Sequence, residues 1–297
     1  MSILIDASTR AIVQGITGSQ ARFDTQWSLL YGSNIVAGVT PGRGGEEVHG
    51  VPVFDTVRRA VAQRNINASV IYVPPAIVKS AVLEAIDSGI KLIVVTAEYV
   101  PQHDLITIVA AARQAQVRLV GCNTNGLISP GQCKLGGVGG IHPDEIYPPG
   151  RIGICSRSGG MMAEISLELA TAGYGVSTSV AMGGDAITGL RMADYVTLFD
   201  EDPETDAIVL FGEPGTDNES EVANLLRSGN VKKPIVALIA GEFQERYPSG
   251  LSFGHAAAMI TDQSKSATSK RQLLRDAGAH VAISLQDVPS LLRLALT

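Results

Sequence analysis

Gln14-Gly15-Ile16-Thr17-Gly18-Ser19-Gln20 is the stretch that decides the fold. It leaves an apolar run, Ala11–Gln14, and leads into a helical pattern over Ala21–Tyr31. Glycines in such a turn let backbone N–H groups approach a phosphate, and the helix N-terminus favours the negative charge. Taken alone, Gly-x-x-Gly reads equally well as a tight turn that requires glycine for its own geometry.

Outward from this turn, short β-branched runs alternate with helical stretches. Strands are expected at Ala11–Gln14, Ile35–Val39, Ala68–Val73, Leu92–Val95 and Arg118–Val120. Helices are expected near Ala21–Tyr31, Thr56–Ala62, Ile77–Ser88 and Asp104–Gln114. Near-continuous apolar strands separated by helices predict a parallel sheet covered on both faces. The stretch from Gly121 to Gly150, dense in Gly and Pro, reads as loop and connection. A second alternation follows. Its strands fall at Arg151–Cys155, Val176–Ala181, Ala207–Leu210, Pro234–Ile239 and His280–Ile283. Its helices fall near Gly160–Thr171, Met192–Phe199, Glu219–Ser228, Ser269–Ala277 and Leu285–Ala295. The expected fold class is α/β, with one open domain over residues 1–121, a connection over 122–150 and a second open domain over 151–297.

Composition bounds the function. The 297 residues suit two domains of about 150 residues each. A net charge of −6 argues against a general nucleic-acid binder, though not against a small anionic ligand, which feels local groups. Cys122, Cys133 and Cys155 show neither CxxC spacing nor a neighbouring histidine pair, so no zinc site and no disulfide framework is expected. The N-terminus meets Asp6 before any long apolar run, and no segment reaches the roughly 18 apolar residues of a membrane helix. The expectation is a soluble, cytoplasmic protein, or one of an organelle matrix if a targeting peptide was removed.

Several positions carry chemistry. The second strand ends Val39-Thr40-Pro41-Gly42-Arg43-Gly44-Gly45, with no carboxylate before Glu46. An NAD site wants an acid there for the ribose hydroxyls. A cation instead suits a ligand with a phosphate on its ribose, coenzyme A first and NADP second. Arg43 also reads as a solvated loop charge. Ile154-Cys155-Ser156-Arg157-Ser158-Gly159-Gly160-Met161 repeats the strand–turn–helix logic and makes a second anion site, or an ordinary N-cap by Ser158. Glu213 follows a strand's C-terminal end, where open sheets bind ligands, yet by itself it reads as a surface acid. Asp185 is similar. In Ser252-Phe253-Gly254-His255-Ala256-Ala257-Ala258, small residues leave an imidazole sterically bare and free to move, which suits a transferring nucleophile. In isolation it reads as a loop histidine.

These pieces, in this order, resemble the α subunits of the succinyl-CoA synthetase (succinate–CoA ligase) family over essentially the whole chain. The likeness runs through Thr17-Gly18-Ser19-Gln20, Gly38-Val39-Thr40-Pro41-Gly42, Ser156-Arg157-Ser158-Gly159, Gly183-Gly184-Asp185, Gly212-Glu213 and Gly254-His255-Ala256. The resemblance implies a Rossmann-like coenzyme A-binding domain followed by a flavodoxin-like ligase domain. It implies that His255 is transiently phosphorylated and oriented by Glu213. It implies that Thr17, Gly18, Ser19, Gln20, Arg43, Thr96, Ala97 and Glu98 lie along coenzyme A, and that Asn123, Ser158, Gly159 and Gly160 hold substrate or phosphate. ATP or GTP with Mg would sit on an ATP-grasp β subunit, in an αβ or α2β2 assembly. The product would be an acyl-CoA from succinate or a related di- or tricarboxylate.

The chain also departs from the family's pattern. Gly121-Cys122-Asn123-Thr124-Asn125-Gly126 stands where the family usually has Gly-Pro-Asn-Cys-Pro-Gly. Ala163 stands in place of a tyrosine beside the substrate, and Glu242-Phe243-Gln244-Glu245-Arg246-Tyr247-Pro248 replaces a basic approach to the histidine. Ser156-Arg157-Ser158-Gly159-Gly160-Met161, Gly139-Gly140 and Phe253-Gly254-His255 look similar to the related ATP-citrate lyases and citryl-CoA synthetases. A methyl for a ring opens room, so malate or citrate competes with succinate. Two other classes compete: a coenzyme A-binding subunit that has lost phosphoryl transfer, and an NADP-dependent oxidoreductase. The latter leaves His255 and the second glycine loop without a role.

Overall fold

The computed structural model describes residues 2–255 and 257–297; Met1 lies outside the described residues, as does Ala256 of the histidine segment. The chain divides into two compact units, one of Leu4–Pro143 with Ile187–Leu190, the other chiefly of Asp144–Ala186 and Arg191–Thr297.

In chain order the first unit holds β1 (Arg10–Gln14), α1 (Ser19–Leu30), β2 (Asn34–Val39), β3 (Glu47–Val48), β4 (Val51–Phe54), α2 (Val57–Val61), β5 (Ala68–Ile71), α3 (Val78–Asp87), β6 (Leu92–Val95), α4 (Gln102–Gln114), β7 (Arg118–Gly121), β8 (Gly126–Ser129) and β9 (Cys133–Gly136). Its main sheet runs β3-β4-β2-β1-β5-β6-β7, parallel except where β3 meets β4. From β4 onward this is the doubly wound order whose direction reverses between β1 and β5. Both helix faces follow the 3.6 period. Val78, Ala81, Val82 and Ala85 of α3 are buried, as are Leu105, Ile108, Val109 and Ala112 of α4. They share one core with Ile12, Ile71, Ile93, Val95 and Leu119 of the strands.

A short helix, α5 (Pro143–Ile146), precedes the second unit's elements. These are β10 (Pro149–Ser156), α6 (Gly159–Thr171), β11 (Val176–Ala181), α7 (Met192–Glu201), β12 (Ala207–Gly212), α8 (Asn218–Arg227), β13 (Ile235–Ile239), α9 (Ala267–Asp276), β14 (His280–Ala282) and α10 (Asp287–Ala295). Their strands lie in the order β14-β13-β12-β10-β11, every neighbouring pair parallel. Counted along the chain this is the flavodoxin order 2-1-3-4-5, with its switch point between β10 and β12. Every residue of β11, β12 and β13 is buried, as expected of strands covered on both faces. No helix among the described residues is long and apolar enough to cross a membrane.

Two features differ from the sequence reading. The stretch after Gly121, expected as loop, contains the antiparallel hairpin β8–β9, paired Gly126↔Gly136 through Ser129↔Cys133. All eight of its strand residues are buried. Its strands are four residues each and bounded by glycines, so the local composition is that of a turn while tertiary burial makes it sheet. Strand β4, which lies next to the two-residue edge strand β3, also escapes the pattern, because Pro52 interrupts its apolar run. A further segment, Ile187–Leu190, borders β7: Gly189 N–H donates to Gly121 O (2.8 Å) and Leu190 N–H to Leu119 O (2.7 Å).

Candidate active site

The switch point of the second sheet gathers charged side chains that the sequence scatters. β10 and β12 run in register to their ends, Ser156 opposite Phe211, so Arg157 and Glu213 emerge side by side. Arg157 N–H donates to Phe211 O at 3.1 Å. The Arg157 side chain is only 1% exposed. A lone buried cation costs on the order of several kcal/mol, and three acceptors offset that cost here. Its Nε donates to Glu213 Oε1 (3.2 Å), and its terminal nitrogens donate to the carbonyls of Asp185 (3.0 Å) and Gly184 (3.0 Å).

Glu213 also receives His255. The imidazole Nδ1 lies 2.8 Å from Oε1 and 3.0 Å from Oε2. A carboxylate on Nδ1 fixes the tautomer with its proton there and leaves the Nε2 lone pair to act. The ring rests against Gly184, where a Cβ would stand 2.6 Å from Cδ2 and 2.9 Å from Nε2. The side chain is 31% exposed, so the bare and freely moving imidazole expected from the flanking small residues is instead a held one. Its loop is pinned as well. Ser252 Oγ donates to His255 O (3.1 Å), Ala258 N–H to His255 O (2.9 Å) and Gly215 N–H to Lys265 O (3.0 Å).

The electrostatics follow from this geometry. The hydrogen bond to Glu213 raises the His255 pKa above its ordinary 6.5, against the opposing effects of burial and of Arg157. Burial pushes the Glu213 carboxyl upward, but the hydrogen bond from His255 and the Arg157 charge outweigh it and hold Glu213 below 4.5. The pair is therefore an ionised carboxylate on an imidazole of enhanced basicity.

Ser158, Gly159 and Gly160 open α6 in the same unit. Ser158 caps the helix, its Oγ accepting from Met161 N–H at 3.3 Å, while Gly159 and Gly160 leave the first turn without side chains. Asp185 is partly exposed, with its carbonyl taken by Arg157.

In the first unit, Thr17, Gly18, Ser19 and Gln20 lie between β1 and the first turn of α1, which no side chain caps. Gly15 turns with φ +80°, and a Cβ there would stand 3.3 Å from the Tyr72 backbone at the sheet's switch point. Thr17 and Thr40 share a hydroxyl hydrogen bond of 3.1 Å. Arg43 is exposed and ion-paired with Glu46 at 3.2 Å. Thr96 Oγ1 donates to Ile71 O (3.0 Å), and Asn123 N–H donates to Ala97 O (3.0 Å). Glu98 is exposed. Thr17, Arg43, Thr96, Ala97, Glu98 and Asn123 all follow C-terminal strand ends of one sheet, where open sheets take ligands. Asn123, grouped by sequence with Ser158, belongs to this unit and not to the second.

Sequence reasoning assigns no role to Arg157, nor to the buried pair Lys270–Glu219 (2.5 Å) behind Glu213. Arg157 had a signal: a cation directly after the apolar run Ile152-Gly153-Ile154-Cys155-Ser156 stands where a strand is still inside the core.

Comparison with known proteins matches two family models, a CoA binding domain over residues 6–99 and a succinyl-CoA ligase-like flavodoxin domain over residues 149–295. Succinate–CoA ligase [ADP-forming] subunit alpha 1 of Archaeoglobus fulgidus is 43% identical over 97% of this chain and 96% of its own length. The malate–CoA ligase subunit alpha of Methylorubrum extorquens is 40% identical over 95% and 94%. A subunit of an ADP-forming sulfoacetate–CoA ligase from an Acholeplasma species is 40% identical over 98% and 97%. Among solved structures, ATP citrate lyase from Methanothrix soehngenii in complex with citrate and coenzyme A superposes with a TM-score of 0.91 at 26% identity. That match covers 99% of this chain and 50% of the lyase chain.

Proposed function

The chain belongs to the α-subunit family of ADP-forming succinate–CoA ligases, and from that premise we propose that His255 is the phosphoryl carrier of a carboxylate–CoA ligase. The observation that carries the reading is the Glu213–His255 contact of 2.8 Å, backed by buried Arg157. Glu213 keeps the proton on Nδ1 and directs the Nε2 lone pair toward phosphorus. As Nε2 bonds to phosphorus, the bond to the nucleoside diphosphate leaving group breaks. An oxygen of the substrate carboxylate then attacks phosphorus, the P–Nε2 bond breaks with its electron pair returning to Nε2, and an acyl phosphate forms. An oxide is a poor leaving group and phosphate a good one, so the acyl phosphate yields its acyl group to a thiol as the C–O bond breaks and phosphate leaves; the histidine step divides the preceding phosphoryl transfer into two. The glycine-led start of α6 offers N–H donors to the phosphoryl oxygens.

The first unit fits coenzyme A. The uncapped first turn of α1 gives main-chain donors to a phosphate, and Thr17, Thr40 and Arg43 stand on the same side of the sheet. When bound, coenzyme A supplies the thiol that accepts the acyl group. The triphosphate and its Mg belong to an ATP-grasp β subunit, without which this chain does not turn over.

Succinate, malate and citrate remain in one substrate class, small polycarboxylates. Ala163, half-buried in α6, favours an acid larger or more hydroxylated than succinate. The relative named for malate and the lyase held with citrate support that breadth, while the relative named for sulfoacetate takes a carboxylate whose second anionic group is a sulfonate. The test is co-expression with an ATP-grasp partner, labelling with γ-labelled ATP and a thioester screen over di- and tricarboxylates. Acid-labile, base-stable label on His255, absent in His255→Asn, is expected. Thioester formation without any histidine label would overturn the carrier role.

A further inference from the structure

The strongest charged pair that this chemistry does not use lies behind Glu213. Lys270, in the first half of α9, and Glu219, in the first turn of α8, each have side chains 1% exposed. Lys270 Nζ donates to Glu219 Oε2 at 2.5 Å and to the main-chain oxygen of Glu213 at 2.7 Å. The same carboxylate presses on the residue before Glu213: a Cβ at Gly212 would stand 2.2 Å from Glu219 Oε1. One buried ammonium thus ties the end of β12 to the starts of α8 and α9. The residue it grips on the β12 side is the one whose side chain meets His255.

We propose that Lys270 is a positioning residue for phosphoryl transfer, holding the Glu213 backbone so that its carboxylate stays on His255 Nδ1. The inference rests on the carrier role given to His255. Two facts separate it from an ordinary core ion pair. Any buried ammonium must place its further donors on some acceptor, and the one Lys270 uses is the carbonyl of the acid itself. Further, the loop that carries His255 ends at Ser266, which caps α9 four residues before Lys270. The histidine loop and the grip on Glu213 therefore share one helix start.

Lys270→Met alone would strand Glu219 as an unpaired buried charge and threaten folding. The test therefore uses the double variant Lys270→Met/Glu219→Leu, in which both charges give way to apolar groups of similar volume, a replacement that cores often accept. The first readout is an NMR titration of His255 in the isolated chain, which needs no partner and no nucleotide. The imidazole faces Glu213, Arg157 and Asp185, and only its distance to Glu213 should change. The midpoint is expected to fall toward 6.5. The second readout, with an ATP-grasp partner, is the rate of His255 phosphorylation, expected to drop about tenfold or more while the Kd for coenzyme A is unchanged. Lys270→Arg, titrated in parallel, keeps a cation at the site and is expected to retain most of the wild-type midpoint. A folded double variant with the wild-type midpoint and the wild-type rate would overturn the proposal; where that variant does not fold, the neutral pair Lys270→Gln/Glu219→Gln is titrated and assayed in its place, and a wild-type midpoint and rate there would overturn it. If the wild-type chain takes no phosphate from any partner, the carrier role fails, while the titration still decides whether Lys270 sets the pair.

Discussion

Two glycine-led helix starts sit at the switch points of two parallel sheets, and they are built differently. The start of α1 has no side-chain cap and stands beside the neutral hydroxyls of Thr17 and Thr40, with exposed cations, Arg22, which donates to Thr17 O, and Arg43. The start of α6 is capped by Ser158 and directly follows a fully buried Arg157, which is bonded to Glu213. The first arrangement spreads many weak, main-chain contacts over a surface and suits holding a long ligand. The second concentrates ionised groups that are largely buried, Arg157 and Glu213 above all, so each interaction is stronger and each loss larger. Changes in the first unit should alter affinity, and changes in the second should alter rate.

The largest effect expected is from His255→Asn, which should lower thioester formation by about 10³-fold or more with coenzyme A affinity intact. Retained turnover would break the contrast at once. Next is Glu213→Gln, expected to slow His255 phosphorylation roughly 10²- to 10⁴-fold. It also moves the pH profile. Nε2 must be unprotonated to attack, so the rate rises with pH through a midpoint above 6.5 in the native chain, and that midpoint should fall in the variant. The same pair shapes stability. Its contribution is full between about pH 4.5 and 6.5, the ordinary values of the two groups. It is lost as pH rises through the raised His255 value and as pH falls through the lowered Glu213 value. Thermal unfolding across pH in wild type and Glu213→Gln would display the difference.

Third is Gly184→Ala. The added methyl meets the imidazole ring and should displace it, slowing phosphorylation about tenfold with little change in coenzyme A affinity, as read by single-turnover labelling and calorimetry. The smallest effects belong to the first unit. Thr17→Val and Arg43→Glu should each weaken coenzyme A by roughly fivefold, the worth of about one hydrogen bond, and leave the labelling rate of His255 alone. A rate change from either would show that the division of labour between the units is less clean than the geometry indicates.

Much of this architecture is legible in the residues, and the reasons are local. Val176–Ala181 reads as strand and is strand over the same bounds, because an unbroken β-prone run is its own signal. The hairpin β8–β9 is not legible, because Gly126, Gly131 and Gly136 look like loop while burial of Leu127, Ile128 and Leu135 comes from packing. At the site the pattern is similar. Glu213 and His255 are 42 positions apart, and nothing in their immediate neighbours joins them; only the family resemblance links the two. Arg157 and Lys270 are harder still. Cations usually mark surface, and their burial depends on partners 56 and 51 residues away, which spacing cannot reveal.

The four residues Ile187–Leu190 carry a consequence for how the molecule is made. They hydrogen-bond along β7, yet they follow Pro143 by about forty residues, with β10, α6 and β11 in between. As the nascent polypeptide leaves the ribosome, the leading half therefore waits with a raw border until β10, α6 and β11 have been translated. A gene cut after Pro143 would yield a fragment missing its hem, prone to stick to its own copies along that seam.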